Sequence, residues 1–183
     1  MHLRSTAISG LTIIESNRTA DARGSFSRLY CDRELAPILQ GESIVQINHS
    51  VTRRVGAIRG LHFQHPPAAE IKIVRCLRGE VFDVAVDLRA GSPSFLAWFG
   101  LALGGDSGRA IAIPAGFAHG FQVLKPDSEL LYLHSAHYSP EHEGGLRYDE
   151  PKINIEWPLD VTELSGRDNS HAPMSGDFAG ISL

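Results

Sequence analysis

The sequence predicts an all-β protein, either a sandwich or a barrel of the jelly-roll kind, built from antiparallel strands with a few short helices. Strand-like apolar runs recur at a spacing of roughly 8–12 residues, and turn signals such as Gly91-Ser92-Pro93 separate them. The length of 183 residues suits one compact domain. We therefore expect a single domain over residues 1–183, with the barrel at about 40–140 and a loose tail at about 170–183.

Nine segments carry the strand pattern and one carries a helix pattern. The predicted strands are LTIIE (11–15), SIVQINHS (43–50), AIRGLHFQ (57–64), IKIVRCL (71–77), EVFDVAVDL (80–88), FLAWFGLAL (95–103), RAIAIP (109–114), AHGFQVL (118–124) and ELLYLHSAHY (129–138). In EVFDVAVDL the odd-numbered residues from Val81 to Asp87 share one face and the even-numbered residues share the other. One short helix is expected at DRELAPIL (32–39), although Pro37 limits it.

Composition and charge restrict the class of protein. Hydrophobic residues make up 43% and charged residues 21% of the chain, the mix of a globular protein. No apolar run approaches the ~20 residues that span a bilayer, and a net charge of -4 does not favour nucleic-acid binding. The N-terminal segment lacks the apolar stretch of a secretory signal, and Cys31 and Cys76 have no metal-binding or redox spacing. We therefore expect a cytoplasmic protein that binds neither nucleic acid nor membrane.

Two stretches resemble the paired motifs of the cupin superfamily of small jelly-roll barrels. The first motif has Gly, five residues, His, one residue, a second His, and later a Glu six residues before a Gly. Gly56 and His62 match it, but Gln64 and Lys72 stand where the second His and the Glu are expected. The second motif has Gly, five residues, Pro, one residue, Gly, two residues and His. It is matched at every step, by Gly108, Pro114, Gly116 and His119.

These substitutions argue against the metal site that such barrels often contain. Only His62 and His119 survive as ligands, because Gln64 is a weak neutral donor and Lys72 would bring an ammonium to the place of a cation. We expect no metal, and fixed cations in its place. A bulge at Gly60 would turn both Arg59 and His62 inward.

Basic groups that line a cavity suit an anionic ligand, or a reaction that develops an enolate, and a neutral histidine beside them is a good base. Two alternatives stay open. In the first, Lys72 is an ordinary strand residue that faces the solvent. In the second, His62 is a core histidine that is bonded to the backbone.

Several motifs along the chain are long, ordered and collectively specific. They are DARGSFS (21–27), VQINHS (45–50), IRGLHFQ (58–64), KIVRCLRGEVFDVAVDLRAGSPSF (72–95), IPAGFAHGF (113–121), LLYLHSAHYSPEHEGGLRYDEP (130–151), WPL (157–159) and LSGRD (164–168). In these motifs the chain closely resembles the dTDP-4-dehydrorhamnose 3,5-epimerase family, the metal-free cupins of rhamnose synthesis, over about residues 10–173.

The resemblance implies a homodimer of jelly-roll barrels that acts on a dTDP-linked 4-keto-6-deoxy sugar without a cofactor. It makes His62 the base, Asp168 its carboxylate partner and Tyr132 the acid on the opposite face. Lys72 and Arg59 match groups beside the 4-keto oxygen and the phosphates. The further contacts implied are His119, Arg23, Gln46, Asn48, Glu143 and Arg167, with Tyr138 stacking on thymine and Phe26 in a segment lent across the dimer interface.

The chemistry explains these residue types. A 4-keto group acidifies the hydrogens at C3 and C5, and the enolate oxygen needs positive donors such as Lys72 and Arg59. Inversion returns the proton on the other face, so the base and the acid come from opposite sides. An Asp–His pair fixes the imidazole tautomer and stabilises its protonated form.

The chain departs from the family pattern at two places that bear on specificity. Arg28 replaces the acidic residue of the pattern RGxFxE, and residues 133–137 lack the usual lysine and a further charged residue. These changes leave open an epimerase of a single carbon, C3 or C5, acting on a related nucleotide deoxysugar. A non-catalytic sugar-nucleotide-binding barrel and a metal-dependent cupin oxygenase are the remaining alternatives.

Overall fold

Thirteen β-strands, two short α-helices and one turn of 3-10 helix (Pro140–His142) make up the regular structure of the computed structural model, which describes residues 1–183. The helices are α1 (Asp32–Leu39) and α2 (Gly166–Ser170). The strands are β1 (His2–Ser5), β2 (Thr12–Glu15), β3 (Arg18–Asp21), β4 (Gly24–Ser27), β5 (Gln46–Thr52), β6 (Ile58–Gln64), β7 (Lys72–Arg78), β8 (Glu80–Asp87), β9 (Trp98–Gly104), β10 (Arg109–Ile113), β11 (Phe117–Val123), β12 (Ser128–His134) and β13 (Glu143–Gly145). Neither helix is long and apolar enough to cross a membrane. The expected all-β fold with short helices is confirmed.

Two antiparallel sheets face each other and a separate hairpin stands apart from them. The six-stranded sheet has the order β1-β2-β10-β7-β12-β5, and the five-stranded sheet has the order β13-β6-β11-β8-β9. The hairpin consists of β3 and β4. The apolar core between the sheets includes Val74 and Leu130 from the first sheet and Val81 and Phe121 from the second. This arrangement is the predicted jelly-roll barrel, with the alternation along β8 as expected.

The sheet region is wider than the predicted range of about 40–140. The N-terminal strands β1 and β2 extend the six-stranded sheet, since β2 pairs with β10. Helix α1 covers the outer face of that sheet, because Leu35 and Leu39 pack on Ile14 and Ile73. The extent of the helix matches the segment predicted from the sequence, and its amphipathic pattern explains how it docks.

The expectation of a loose tail at about 170–183 is wrong for its last residues. Ile181 is 4% exposed, its backbone pairs with Arg89, and its side chain joins the apolar cluster that contains Val84 and Val86. The even-numbered face of β8 is apolar on the outside of the barrel, so it needs a cover. The C-terminal segment supplies that cover. The single domain over residues 1–183 stays a prediction.

A bulge in β6 sets the direction of two basic side chains. His62 lies opposite His119 and Arg59 lies opposite Phe121, so β6 has one more residue than β11 between these pairs. Gly60 has a φ of 132°, and an ideal Cβ on it would lie 2.5 Å from the Cα of Gly120. Only glycine fits this close approach. The predicted bulge is confirmed, and Arg59 and His62 both line the cavity between the sheets.

The end of β8 is tied down by a buried carboxylate. Asp87 is fully buried and accepts hydrogen bonds from the Arg89 side chain (2.7 Å) and from the hydroxyls of Ser92 and Ser94 (2.6 Å each). Burial acts to raise the pKa of this carboxyl, but the donors outweigh burial and lower the pKa to about 2.

We predict that Asp87→Asn lowers the free energy of unfolding by about 2–4 kcal/mol near neutral pH, because charge-assisted hydrogen bonds of a buried group are lost. The folded pKa lies below the ordinary value of 3.8, so this stabilisation is present above pH 3.8 and is lost as the pH falls towards 2. Urea unfolding of both proteins between pH 7 and 3 measures the difference, which should narrow below pH 4.

The matched control is Asp149→Asn. Asp149 forms an exposed pair with Arg147, so its loss should change the free energy of unfolding by less than about 1 kcal/mol. Equal destabilisation by the two substitutions would contradict the role given to Asp87.

Candidate active site

A cavity of about 850 Å³ opens between the two sheets. Its walls come from β5, β7 and β12 on one side, from β6 and β11 on the other, and from the segment that leads into α2. This volume lies in the range of small-molecule and cofactor sites. Most of the predicted site residues line it, namely Gln46, Asn48, Arg59, His62, Lys72, His119, Tyr132, Tyr138, Glu143, Arg167 and Asp168.

Two predicted substrate contacts lie elsewhere. Arg23 and Phe26 belong to the β3–β4 hairpin, where Arg23 pairs with Asp21 at 2.6 Å and Phe26 is 74% exposed. Neither lines the cavity of this chain. The hairpin projects from the barrel instead of folding over its mouth. The roles of Arg23 and Phe26 as substrate contacts, and the implied lending of the Phe26 segment across a dimer interface, therefore stay predictions.

His62 and Asp168 form a buried hydrogen-bonded pair. The distance from His62 Nε2 to Asp168 Oδ1 is 2.7 Å, and Asp168 is 4% exposed while His62 is 33% exposed. Ser165 caps helix α2 by accepting a hydrogen bond from the Asp168 backbone, and the backbone N–H of Gly60 donates to Asp168 Oδ2. Burial acts to raise the pKa of the Asp168 carboxyl, but the bonds from His62 and Gly60 lower it overall. Asp168 therefore stays ionised, and Nδ1 of His62 has no protein partner.

Tyr132 lies on the facing sheet. Its hydroxyl is 3.0 Å from Ser50 Oγ, and its ring lies between the rings of His119 and His134. Burial raises the pKa of Tyr132 well above its ordinary value. The phenol is therefore protonated near neutral pH. His62 and Tyr132 face the same cavity from opposite sheets, so one side offers a proton acceptor and the other a proton donor.

Lys72 points into the cavity, which decides against the solvent-facing alternative. Its side chain is 13% exposed, and its Nζ lies 3.2 Å from Glu70 Oε1. The other oxygen of Glu70 lies 2.8 Å from Nδ1 of His134, which sits directly opposite Lys72 in the β7–β12 register. Burial acts to raise the pKa of the Glu70 carboxyl, but His134 and Lys72 lower it overall. Lys72 is thus a largely buried cation, and its partner Glu70 is held by both Lys72 and His134.

A third histidine–carboxylate pair lies deeper. His119 Nε2 is 2.9 Å from Asp83 Oδ2, and Asp83 is fully buried with its other oxygen unpartnered. His62 and His119, the surviving ligands of the cupin motifs, are directly paired across β6 and β11. Gln64, which stands at the position of a further ligand, uses its amide for backbone hydrogen bonds instead. Its Nε2 donates to the carbonyls of Ala68 and His137, and its Oε1 accepts from the backbone N–H of Ser139. The absence of a metal at this position stays a prediction.

The mouth of the cavity carries a smaller polar cluster. Tyr138 is 52% exposed. Its hydroxyl donates to Glu143 Oε2 at 2.7 Å, and its backbone N–H donates to Gln46 Oε1 at 3.1 Å. Glu143 also pairs with Arg167. On the wall, Arg59 donates to Thr52 Oγ1 at 2.8 Å. An aromatic face and two guanidinium groups therefore surround the entrance.

Reasoning from the sequence missed several residues of this region. His134 shares a face with Tyr132 by strand alternation, and that pattern could have assigned it to the cavity. The partners Glu70, Asp83 and Ser50 depend on which strands become neighbours, and a single sequence gives no signal for that. His171 follows helix α2 and lies beside His62, with ring centroids 6.5 Å apart.

Sequence comparison and structure comparison both match this chain to one family of epimerases. The family model described as dTDP-4-dehydrorhamnose 3,5-epimerase matches residues 5–175. A dTDP-4-dehydrorhamnose 3,5-epimerase of Sinorhizobium fredii is 40% identical over 94% of this chain and 89% of its own length. A dTDP-4-dehydrorhamnose 3-epimerase of Streptomyces niveus is also 40% identical, over 92% of this chain and 81% of its own length.

A solved structure shares the fold throughout. It is a dTDP-6-deoxy-D-glucose-3,5-epimerase of Legionella pneumophila in complex with dTDP-4-keto-L-rhamnose, with a TM-score of 0.87 and 39% identity over 92% of this chain and 89% of its own. The jelly-roll architecture, the family model and the relatives agree over nearly the whole length. The chain belongs to the dTDP-4-dehydrorhamnose 3,5-epimerase family of isomerases.

Proposed function

We propose that the protein epimerises a dTDP-4-keto-6-deoxy-hexose at C3 and C5, converting dTDP-4-dehydro-6-deoxyglucose to dTDP-4-dehydrorhamnose. The observation that carries the proposal is the His62–Asp168 pair, which faces a protonated Tyr132 across one cavity. The names of the relatives, and the sugar nucleotide bound to the Legionella protein, support the substrate class.

His62 removes the proton. Because Nε2 of His62 is bonded to the Asp168 carboxylate, that nitrogen carries hydrogen and Nδ1 is the acceptor. Asp168 stabilises the imidazolium that forms, as in other His–Asp pairs. A carbon beside the 4-keto group gives up its hydrogen, and its electron pair moves to the 4-oxygen as an enolate.

Lys72 and Arg59 stabilise that oxygen. Lys72 is a fixed cation in a largely buried position, so its charge is only weakly screened by water. Arg59 faces the wider part of the cavity and also suits the phosphates, with which a guanidinium forms paired hydrogen bonds. No cofactor takes part in these steps.

Tyr132 returns a proton on the opposite face, which inverts the carbon. Its raised pKa makes a lasting tyrosinate unfavourable, so the phenol must regain a proton, and Ser50 is the hydroxyl in contact with it. At the mouth, Tyr138 stacks on thymine. The other proposed contacts of the nucleotide and sugar are Gln46, Asn48, His119, Glu143 and Arg167.

A single-carbon epimerase is the second candidate. It is favoured by the presence of a 3-epimerase among the relatives and by His134, which lines the cavity within the segment that departs from the family pattern. Arg28, the other departure, pairs with Glu34 and does not line the cavity. The departure that bears on the cavity is therefore the one at 133–137.

Turnover of the substrate in deuterated water tests the proposal. We predict label at both C3 and C5 with the wild-type protein, and a loss of labelling by at least about 10²-fold in His62→Asn. His2→Asn, an exposed histidine at the far edge of the six-stranded sheet, is the matched control and should label as the wild type does.

Label at one carbon only would support the single-carbon epimerase. A wild type that binds substrate but introduces no label would instead identify a non-catalytic sugar-nucleotide-binding barrel. Both outcomes are read by NMR of the same reaction mixture.

The contacts of Glu70 generate a second prediction. Glu70→Gln keeps the size of the side chain but removes its charge, and it replaces one of the two oxygens that face Lys72 and His134 by an NH2 donor. We expect kcat to fall by roughly tenfold to 100-fold with little change in KM, because Lys72 loses its position against the enolate rather than its contact with the bound ground state. Glu42→Gln, at an exposed position, is the control, and equal kcat values for the two variants would remove Glu70 from this role.

Two copies of this chain form the active protein in our proposal. β5 is an edge strand that exposes Ile47 (61%) and Val51 (45%), and Phe26 is exposed on the hairpin. Exposed apolar side chains on an unpaired edge are a surface for a partner. β5 also borders the cavity, so a partner hairpin there would bring Arg23 and Phe26 to the site from the second chain.

We predict that Ile47→Asp converts a dimer to a monomer, because a charge is buried without a partner in the interface. Sedimentation equilibrium measures the mass. Leu183→Asp introduces the same charge at a position that is 67% exposed at the C-terminus, and it should leave the dimer intact. A wild type with the mass of one chain contradicts the homodimer.

A further inference from the structure

His171 lies beside the proposed base and has no role in the proposed reaction. One donor atom each from His62, Asp168 and His171 lie within 4.8 Å of one another. His171 follows the last residue of helix α2, three positions after Asp168. The short helix therefore brings a second imidazole to the His62–Asp168 pair.

The His171 ring packs against the backbone on one side, and its buried nitrogen has no hydrogen-bond partner. Its Nε2 is one of two buried side-chain nitrogen or oxygen atoms in the protein that lack a hydrogen-bond partner. An ideal Cβ on Gly145 would lie 2.2 Å from Nε2 and Cε1, so the backbone of β13 packs directly against the ring. Because no hydrogen bond fixes the tautomer, either ring nitrogen is free to present its lone pair.

Two imidazoles and one carboxylate are a donor set that late divalent metals prefer. We propose that His62, Asp168 and His171 bind one Zn²⁺ ion, which takes the place of the proton between His62 Nε2 and Asp168 Oδ1 and releases that proton to water. Tetrahedral bonds of about 2.0–2.2 Å would separate the ligand atoms by roughly 3.3–3.6 Å. The 2.7 Å His62–Asp168 contact opens slightly and His171 moves inward by about an ångström.

The ion reaches this position through the cavity. His62 is 33% exposed and lines the cavity together with Asp168, while Lys72 and Arg167 are each paired with a carboxylate. The charges of Lys72 and Arg167 are thus partly neutralised. This site differs from the motif position of the cupins, since two of its three ligands come from the segment after the barrel and neither Gln64 nor His119 takes part.

Zinc bound here inhibits the enzyme, a consequence that rests on the proposed function because it requires His62 to be the base. An imidazole nitrogen bonded to zinc loses the exchangeable proton that Asp168 stabilises, and the ion repels the developing imidazolium. The site therefore acts as an inhibitory metal site and not as a catalytic centre.

Direct binding tests the site without reference to activity. Calorimetric titration with Zn²⁺ near neutral pH should show one ion per chain in the wild type, and His171→Ala should bind at least about tenfold more weakly. Co²⁺ in place of Zn²⁺ should give visible absorption bands of a nitrogen–oxygen site that His171→Ala loses. His2→Ala is the matched control and should keep both signals, because His2 lies at the opposite edge of the sheet.

Activity assays then separate the two proposals. We expect Zn²⁺ to inhibit the wild type and to inhibit His171→Ala at least about tenfold less, with similar activity of the two proteins in the absence of metal. No stoichiometric ion in the wild type, or unchanged affinity in His171→Ala, would overturn the site. Binding without inhibition would confirm the site and contradict His62 as the base.

Discussion

The site depends on a contact between two glycines. The Cα of Gly120 occupies the place that a side chain on Gly60 would need, so β6 and β11 approach each other where no other residue fits. This approach lets β6 carry an extra residue, which turns both Arg59 and His62 towards the cavity. It also directs the backbone N–H of Gly60 at Asp168, so the same glycine that orients the base helps to hold its partner. A side chain at either glycine would disturb several functional groups together.

Three of the basic groups around the cavity are paired with carboxylates. His62 with Asp168, His119 with Asp83, and Lys72 with Glu70 each join a basic group to a carboxylate of low exposure. An isolated carboxylate would cost too much in such surroundings, whereas a carboxylate bonded to a basic group persists with a fixed orientation. That orientation is what an enolate requires, because donors that are already in place need no reorganisation as negative charge develops.

The sequence predicted the elements and the faces of the strands better than the contacts between them. Alternation assigned the two faces of β8, and the glycine in β6 indicated the bulge, because both are local properties of the chain. The pairing of Asp168 with His62 was inferred from the family resemblance alone, since 106 residues separate them. The meeting of Glu70 with His134 depends on the β7–β12 register, which composition and periodicity do not encode. The packing of the C-terminal segment on β8 could not be predicted for the same reason, since Ile181 carries no local signal for this contact.

In the proposed reaction, the number of carbons that are inverted depends on the space around the 4-oxygen as well as on the base. In the chair of a glucose-configured sugar, the hydrogens at C3 and C5 are axial on the same face, so one base on one sheet and one acid on the other suffice for both. The sugar must only shift past His62 while its 4-oxygen stays near Lys72, since reaction requires contact distances of about 3–3.5 Å. The group beside Lys72 is His134, directly across the strand pair and fixed by Glu70. In the proposed reaction, the imidazole of His134 restricts the space into which the sugar shifts, so this position contributes to the selection between one carbon and two.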